Sequence, residues 1–131
     1  MLIGFAPFII GLAALTISFA VYAQLSGIDR VDLQRRDLGI QGKEIVQSRF
    51  EIYPDVVAPK HSHPGEEVVY ILEGELEYQL EGRAPVTVKA GEVLFIPAGV
   101  IHSAKNTGKK KCIELATYIV EKDKPLSVFI K

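Results

Sequence analysis

Sulfur and tryptophan are almost missing from this chain. Its 131 residues include one cysteine, one methionine and no tryptophan. With Cys112 alone, no disulfide can form within the chain, and neither a Cys-rich zinc knuckle nor CxxC redox chemistry is available. Stability must then come from an apolar core or a bound metal. Charge of one sign is lacking too: 15 Lys+Arg against 16 Asp+Glu leave a formal net charge of −1. Such a balance offers no basic stripe, which argues against nucleic acid as a partner. Disorder is excluded because 48% of the residues are hydrophobic. No repeat or low-complexity segment appears.

Charge is also missing locally. Residues 1–23 carry no charged side chain, and 18 of them are hydrophobic. The stretch ends in Val21-Tyr22-Ala23 before Gln24, a pattern that suits signal-peptidase cleavage. No Lys or Arg precedes it, and its length would also span a bilayer, so a retained N-terminal anchor stays open, as does a buried helix. No cysteine follows, which excludes a lipoprotein. The expected organisation is a signal peptide or anchor over 1–23 and one small domain over 24–131. That domain is expected to be periplasmic or secreted, or membrane-anchored with its body outside the cytoplasm; membrane contact is expected only if the leader is retained.

From Gln24 onward the pattern has period two, the period of strands. Val31 and Leu33 alternate with polar residues, as do Val46, Phe50 and Ile52. Val68 to Leu72 is a continuous apolar run, expected to be buried on both faces. Glu75 to Glu81 alternates as a half-exposed strand, and Glu73, Glu75, Glu77 and Glu81 are expected to form a solvated face protecting a sheet edge. Val86 and Val88, Val93 to Ile96, and Ile113 to Val120 complete the set. Turns are expected at Glu73-Gly74, Glu81-Gly82-Arg83, Ala90-Gly91, Pro97-Ala98-Gly99 and Asn106-Thr107-Gly108. Many short strands separated by turns predict an all-β sandwich or barrel. Lys109-Lys110-Lys111 reads as a solvated loop.

The chain has three histidines. His61 and His63 share one face if they lie on a strand, and Glu67 has the same parity if the Pro64-Gly65 turn preserves it. Imidazoles plus a carboxylate are the donor set that divalent Fe, Mn, Ni, Cu or Zn accept. His102 can join them only across a folded sheet. Spacing carries the reading further. His61-Ser62-His63 is followed after three residues by Glu67 and after six more by Gly74. Gly91 is followed by Pro97-Ala98-Gly99, then His102, then Asn106.

Both segments resemble the two signature motifs of the cupin superfamily, across roughly residues 45–120, with core motifs over 55–106. One departure stands out: Asp55 occupies the place of the glycine that usually opens the first motif. The resemblance implies an antiparallel jelly-roll β-barrel holding one divalent metal, Fe or Mn favoured and Ni, Cu or Zn allowed. It implies His61, His63, His102 and Glu67 as ligands, with Glu67, rather than Glu66, also as a catalytic base. Asn106 reads as a turn residue, Cys112 as a small buried hydrophobe, and Tyr70, Tyr78 and Tyr118 as core or barrel-surface residues. No arginine clamp for a carboxylate stands out, since Arg49, the only arginine on a candidate core strand, falls on the outward parity. The function the resemblance implies is an exported, quercetinase-like, metal-dependent dioxygenase acting on a small organic substrate. The alternative is a non-catalytic module binding a metal or small ligand. A homodimer is expected, with Val31 to Leu38 and Leu126 to Ile130 as the apolar ends that pairing would use.

Overall fold

The computed structural model of the protein describes residues 25–131; the apolar leader expected over 1–23 lies outside them. Every regular element among the described residues is a strand. Five form one sheet in the order β1 (Ile28–Asp37), β2 (Lys43–Ile52), β9 (Cys112–Glu121), β4 (Gly65–Glu73), β7 (Val93–Ile96). The other five form a second sheet in the order β10 (Val128–Phe129), β3 (Val57–Ser62), β8 (His102–Lys105), β5 (Glu75–Leu80), β6 (Val86–Lys89). All pairings are antiparallel. Among the described residues no helix is long and apolar enough to cross a membrane.

The two sheets pack their apolar faces together. Val69 and Ile71 of β4, Leu76, Tyr78 and Leu80 of β5, Ile96 of β7 and Cys112 of β9 form one buried cluster. Period-two alternation sends these side chains inward and their neighbours outward. The expectation that Val68 to Leu72 is buried on both faces is corrected here: Tyr70 is 39% and Leu72 44% exposed, because no further layer covers the outer face. The acidic strand β5 is not at an edge either. It is hydrogen-bonded to β6 on one side and β8 on the other, so its glutamates face solvent without guarding an edge. The two apolar ends are used within the chain: β1 pairs along β2, and Val128 and Phe129 pair with Ser62 and His61.

Two backbone details hold the histidine-bearing segments in place. Asp55 adopts φ +64°, the left-handed conformation that the usual glycine would adopt without strain and that Asp tolerates better than most residues. Its N–H donates to the Asn106 carbonyl at 3.0 Å, while Asn106 N–H donates to Val56 O at 3.1 Å, stitching the first motif to the end of the second. Asn106 is fully buried; its amide donates to Ile52 O and Lys110 O, and its oxygen accepts from Gly108 N–H. Gly65 answers a different need. A Cβ there would meet Ile119 O at 2.0 Å and Val120 Cα at 2.7 Å, so only glycine lets β4 start this close to β9.

Candidate metal centre

His61 of β3 lies beside His102, the first residue of β8, across the ladder. His63 follows β3, and Glu67 comes in from β4 of the opposite sheet. One nitrogen from each ring lies within 4.8 Å of the others, close enough for a single ion. His63, His102 and Glu67 are buried and His61 half-buried. Glu66 does not compete: it pairs with Ile119 on the outer face, whereas Glu67 pairs with Tyr118 on the inner one.

Main-chain carbonyls orient all three rings. His61 Nδ1 donates to Pro59 O at 2.7 Å, His63 Nδ1 to Leu126 O at 2.6 Å and His102 Nδ1 to Val100 O at 2.9 Å. A carbonyl can only accept, so in each neutral ring the proton sits on Nδ1 and Nε2 keeps its lone pair. Such bonds from the far nitrogen are how ligating histidines are commonly fixed. Glu67 Oε2 lies 3.1 Å from His63 Nε2 and 3.2 Å from His102 Nε2. Between neutral rings and a carboxylate these are contacts between acceptors. His63 Nε2 and Glu67 Oε2 are both buried with no hydrogen-bond partner. A cation placed among them satisfies every orphaned lone pair, and three imidazoles with one carboxylate are a set that borderline divalent transition metals accept. The residues fit a metal.

Without one, the electrostatics are tense. Burial raises the Glu67 carboxyl, but hydrogen bonds and charge from His102 and His63, present only when those rings carry a proton on Nε2 as well, more than reverse this and hold it at about 2. Burial also drives His61 down to about 4. Burial lowers His102 too, but the Glu67 contact outweighs it and leaves that ring raised. Tyr118 packs on His63 with ring centroids 4.7 Å apart, and Phe129 of β10 lies 5.6 Å from His61.

Three participants escaped the sequence. One is Glu114, buried on β9 and accepting a hydrogen bond from Tyr78 Oη of the facing sheet. Burial, then the nearby Glu67 charge, pushes it up to about 7. Its signal was present: Cys112, Glu114, Ala116, Tyr118 and Val120 share one parity, and all are buried. Another is the Leu126 carbonyl, from a segment with no periodic pattern. The last is Arg30, and here the view that no arginine faces a site is corrected. Arg30 pairs with Phe50 in register and its guanidinium lies 5.7 Å from that ring, on the inner side of the sheet although the residue itself is exposed. Arg49, paired with Val31 and ion-paired to Glu51, is on the outer face as expected.

The cupin-domain profile matches residues 48–118, more than half of the chain. The chain belongs to the cupin family. It is similar to germin-like protein subfamily 2 member 2 of Arabidopsis thaliana, 36% identical over 85 residues that make up 61% of this chain and 39% of that one. It is also similar to the dimethylsulfoniopropionate lyase DddQ of Ruegeria pomeroyi, 40% identical over 47 residues, 36% of this chain and 23% of the lyase. This cupin therefore spans well under half the length of such curated relatives. Among solved structures, a cupin superfamily protein of Desulfitobacterium hafniense superposes with a TM-score of 0.62 at 19% identity, covering 77% of this chain and 84% of that one. An oxalate oxidase in complex with glycolate gives 0.65 at 24% identity, covering 82% and 57%. These two show the fold.

Proposed function

We propose that this cupin is a metal-dependent enzyme of oxygenase type that acts on a small organic substrate outside the cytoplasm. His61, His63 and His102 hold one divalent metal, Fe or Mn favoured, with Ni, Cu or Zn able to use the same donors, and Glu67 supplies the carboxylate. The observation that carries the reading is the three Nδ1-to-carbonyl bonds, which leave three clustered Nε2 lone pairs, those of His63 and His102 beside the buried, unpartnered oxygen of Glu67. Four protein donors leave about two octahedral positions for other ligands, unlike a closed structural zinc site. When bound, the metal would polarise substrate oxygen and supply redox chemistry. Glu67, as the only carboxylate among the four, accepts the substrate proton, while Tyr118 and Phe129 pack against the imidazoles and limit the water around them.

A lyase is the second reading, favoured by the similarity to DddQ over 47 residues; it needs the same cage and base but no dioxygen. Export rests on the uncharged leader over 1–23, as signal peptide or anchor, with 24–131 as the working domain. We further propose a homodimer through the outer face of the β1–β2–β9–β4–β7 sheet, where Tyr70, Leu72, Val93, Phe95 and Ile119 are exposed together. A contiguous apolar patch of that kind marks an interaction face.

The test is metal analysis of anaerobically purified protein, followed by oxygen uptake with flavonols, diketones and thiols. One metal per chain, lost in His63→Ala and in His102→Ala, is the expected result, with oxygen consumed for one substrate class. Turnover of a substrate without oxygen uptake would select the lyase. Full metal content in His102→Ala would defeat the cage itself.

A further inference from the structure

Strand β1 is an edge strand, and its inner face is not buried like those of its neighbours. After Ile28 every residue along it is half-buried or exposed. By register the inward positions are Arg30 beside Phe50, Asp32 beside Ser48 and, past an irregularity at Leu33, Arg35 beside buried Val46. These side chains edge a cavity of about 340 Å³ lined by Arg30, Asp32, Leu33, Gln34, Arg35 and Val46. That volume is within the range of small-molecule sites.

Asp32 and Arg30 are tied together. Buried Ser48 Oγ donates to Asp32 Oδ1 at 2.9 Å, and Arg30 Nε donates to the same oxygen at 2.6 Å. Because that bond uses Nε, the two terminal nitrogens of the Arg30 guanidinium stay available to a ligand. Arg35 Nε stands 3.8 Å from Glu44, too long for a hydrogen bond, so its donors are held only loosely. The cavity lies on the same sheet face as the metal centre, with the buried side chains of Val46 and Tyr118 between them. Val46 pairs with Tyr118, which pairs with Glu67 and packs on His63. One row of side chains thus runs Arg35, Val46, Tyr118, Glu67 from the cavity to the cage.

We propose that this mouth binds the carboxylate of a small organic acid, with Arg30 and Arg35 as donors and the apolar body of the ligand lying on Leu33 and Val46. The mouth is a site apart from the cage, three strand spacings or about 14 Å away, so its ligand is not thereby the substrate of the cage. Asp32 and Glu44 offset the two arginines, so recognition depends on directed donors and not on a net positive field; planar guanidinium groups suit a carboxylate for that reason.

Benzoate and its neutral isostere benzamide, titrated into the metal-free full-length chain by calorimetry and NMR, test it apart from the metal. Benzoate should bind, with shifts at Leu33 and Val46, and benzamide should bind about tenfold more weakly, as expected for losing a charge-assisted contact. Arg35→Gln should weaken benzoate by about tenfold and leave zinc stoichiometry unchanged; its side chain is 57% exposed, so folding is not at issue. Arg30→Gln should do the same. Equal binding of benzoate and benzamide, no benzoate binding, or full affinity in Arg35→Gln would each overturn the proposal. A wild-type chain that binds benzoate but no metal would overturn the cage and keep the mouth.

Discussion

The interior of this barrel has two ends built on opposite rules. At one end Val69, Ile71, Leu76, Ile96 and Cys112 are buried to 1% exposure or less in one apolar cluster. At the other, three histidines from β3, β8 and the turn after β3, with Glu67 of β4, face inward and leave lone pairs unmatched, and Arg30 of β1 stands on the same side of the sheet. Crossing from Ile71 to Glu67 takes four residues of β4 and no change of parity. The same alternation thus serves stability at one end and leaves chemistry exposed at the other. Glu114 and Tyr78 lie between them, a polar pair inside the packed end.

The largest expected effect tests the packed end. Ile71→Ala removes a fully buried side chain and leaves a cavity, at a cost of about 4 kcal/mol within the range seen for such truncations. Urea unfolding should record that loss, while the folded fraction still takes up one metal per chain. Lost metal uptake in a folded Ile71→Ala protein would mean that the two ends are not separable.

Glu114 gives the next largest. Its folded carboxyl is pushed up to about 7 from an ordinary 4.5, chiefly by burial. Between those values the unfolded chain ionises and the folded one keeps its proton, so stability is highest below pH 4.5 and falls as pH rises to about 7. The cost at pH 8 is on the order of 3 kcal/mol. Glu114→Gln should therefore stabilise the metal-free protein by about that amount at pH 8, and by nothing near pH 4. A pH-independent difference in urea midpoints would show that this carboxyl is ionised in the fold.

A smaller effect belongs to the open end. Glu67→Gln should weaken zinc binding by roughly tenfold, less than any histidine change, since three imidazoles remain and the amide oxygen can still coordinate. Competition against a chromophoric chelator measures it. Binding should also fall as pH drops toward and below 6.5 in the wild type, because His102 is held above that ordinary value and a protonated imidazole cannot ligate. Unaltered affinity in Glu67→Gln would remove the carboxylate from the cage.

How much of this could be read from the chain divides along the same line. Alternation identified the strands and the inward parity of His61, His63 and Glu67, because period two is a local property of a strand. The meeting of His102 with His61 was inferred only from motif spacing; it depends on β3 lying beside β8, about 40 residues apart in sequence. Two-faced burial of Val68 to Leu72 was misread, since whether a sheet face is covered is a fact of assembly and not of pattern. Arg30 was missed because apolar Val31 and Leu33 suggest that the odd residues of β1 face inward, whereas Arg30 and Asp32 are the ones beside Phe50 and Ser48. The irregularity between Asp32 and Gln34 then reverses parity and brings Arg35 beside Val46. Leu126 gave no signal, as a carbonyl is the same in every residue.

The smallest effect sharpens that contrast between arginines. Arg49 and Arg30 belong to neighbouring strands one pair apart in register, yet they face opposite sides of the sheet. Arg49 pairs with Glu51 over the outer face; its side chain is as exposed as that of Arg30, 34% against 33%, so the two differ in what they lie against and not in solvent access. Arg30 lies against Phe50 and bonds an aspartate anchored by a buried serine. Removing its side chain strips packing as well as charge. Arg49→Ala should accordingly leave the urea midpoint, the metal content and benzoate binding within experimental error. Arg30→Ala should lower the midpoint detectably and weaken benzoate. Equal shifts in the two variants would mean that the inward and outward faces of β1 and β2 are energetically alike, and the mouth would lose its claim to be a built site.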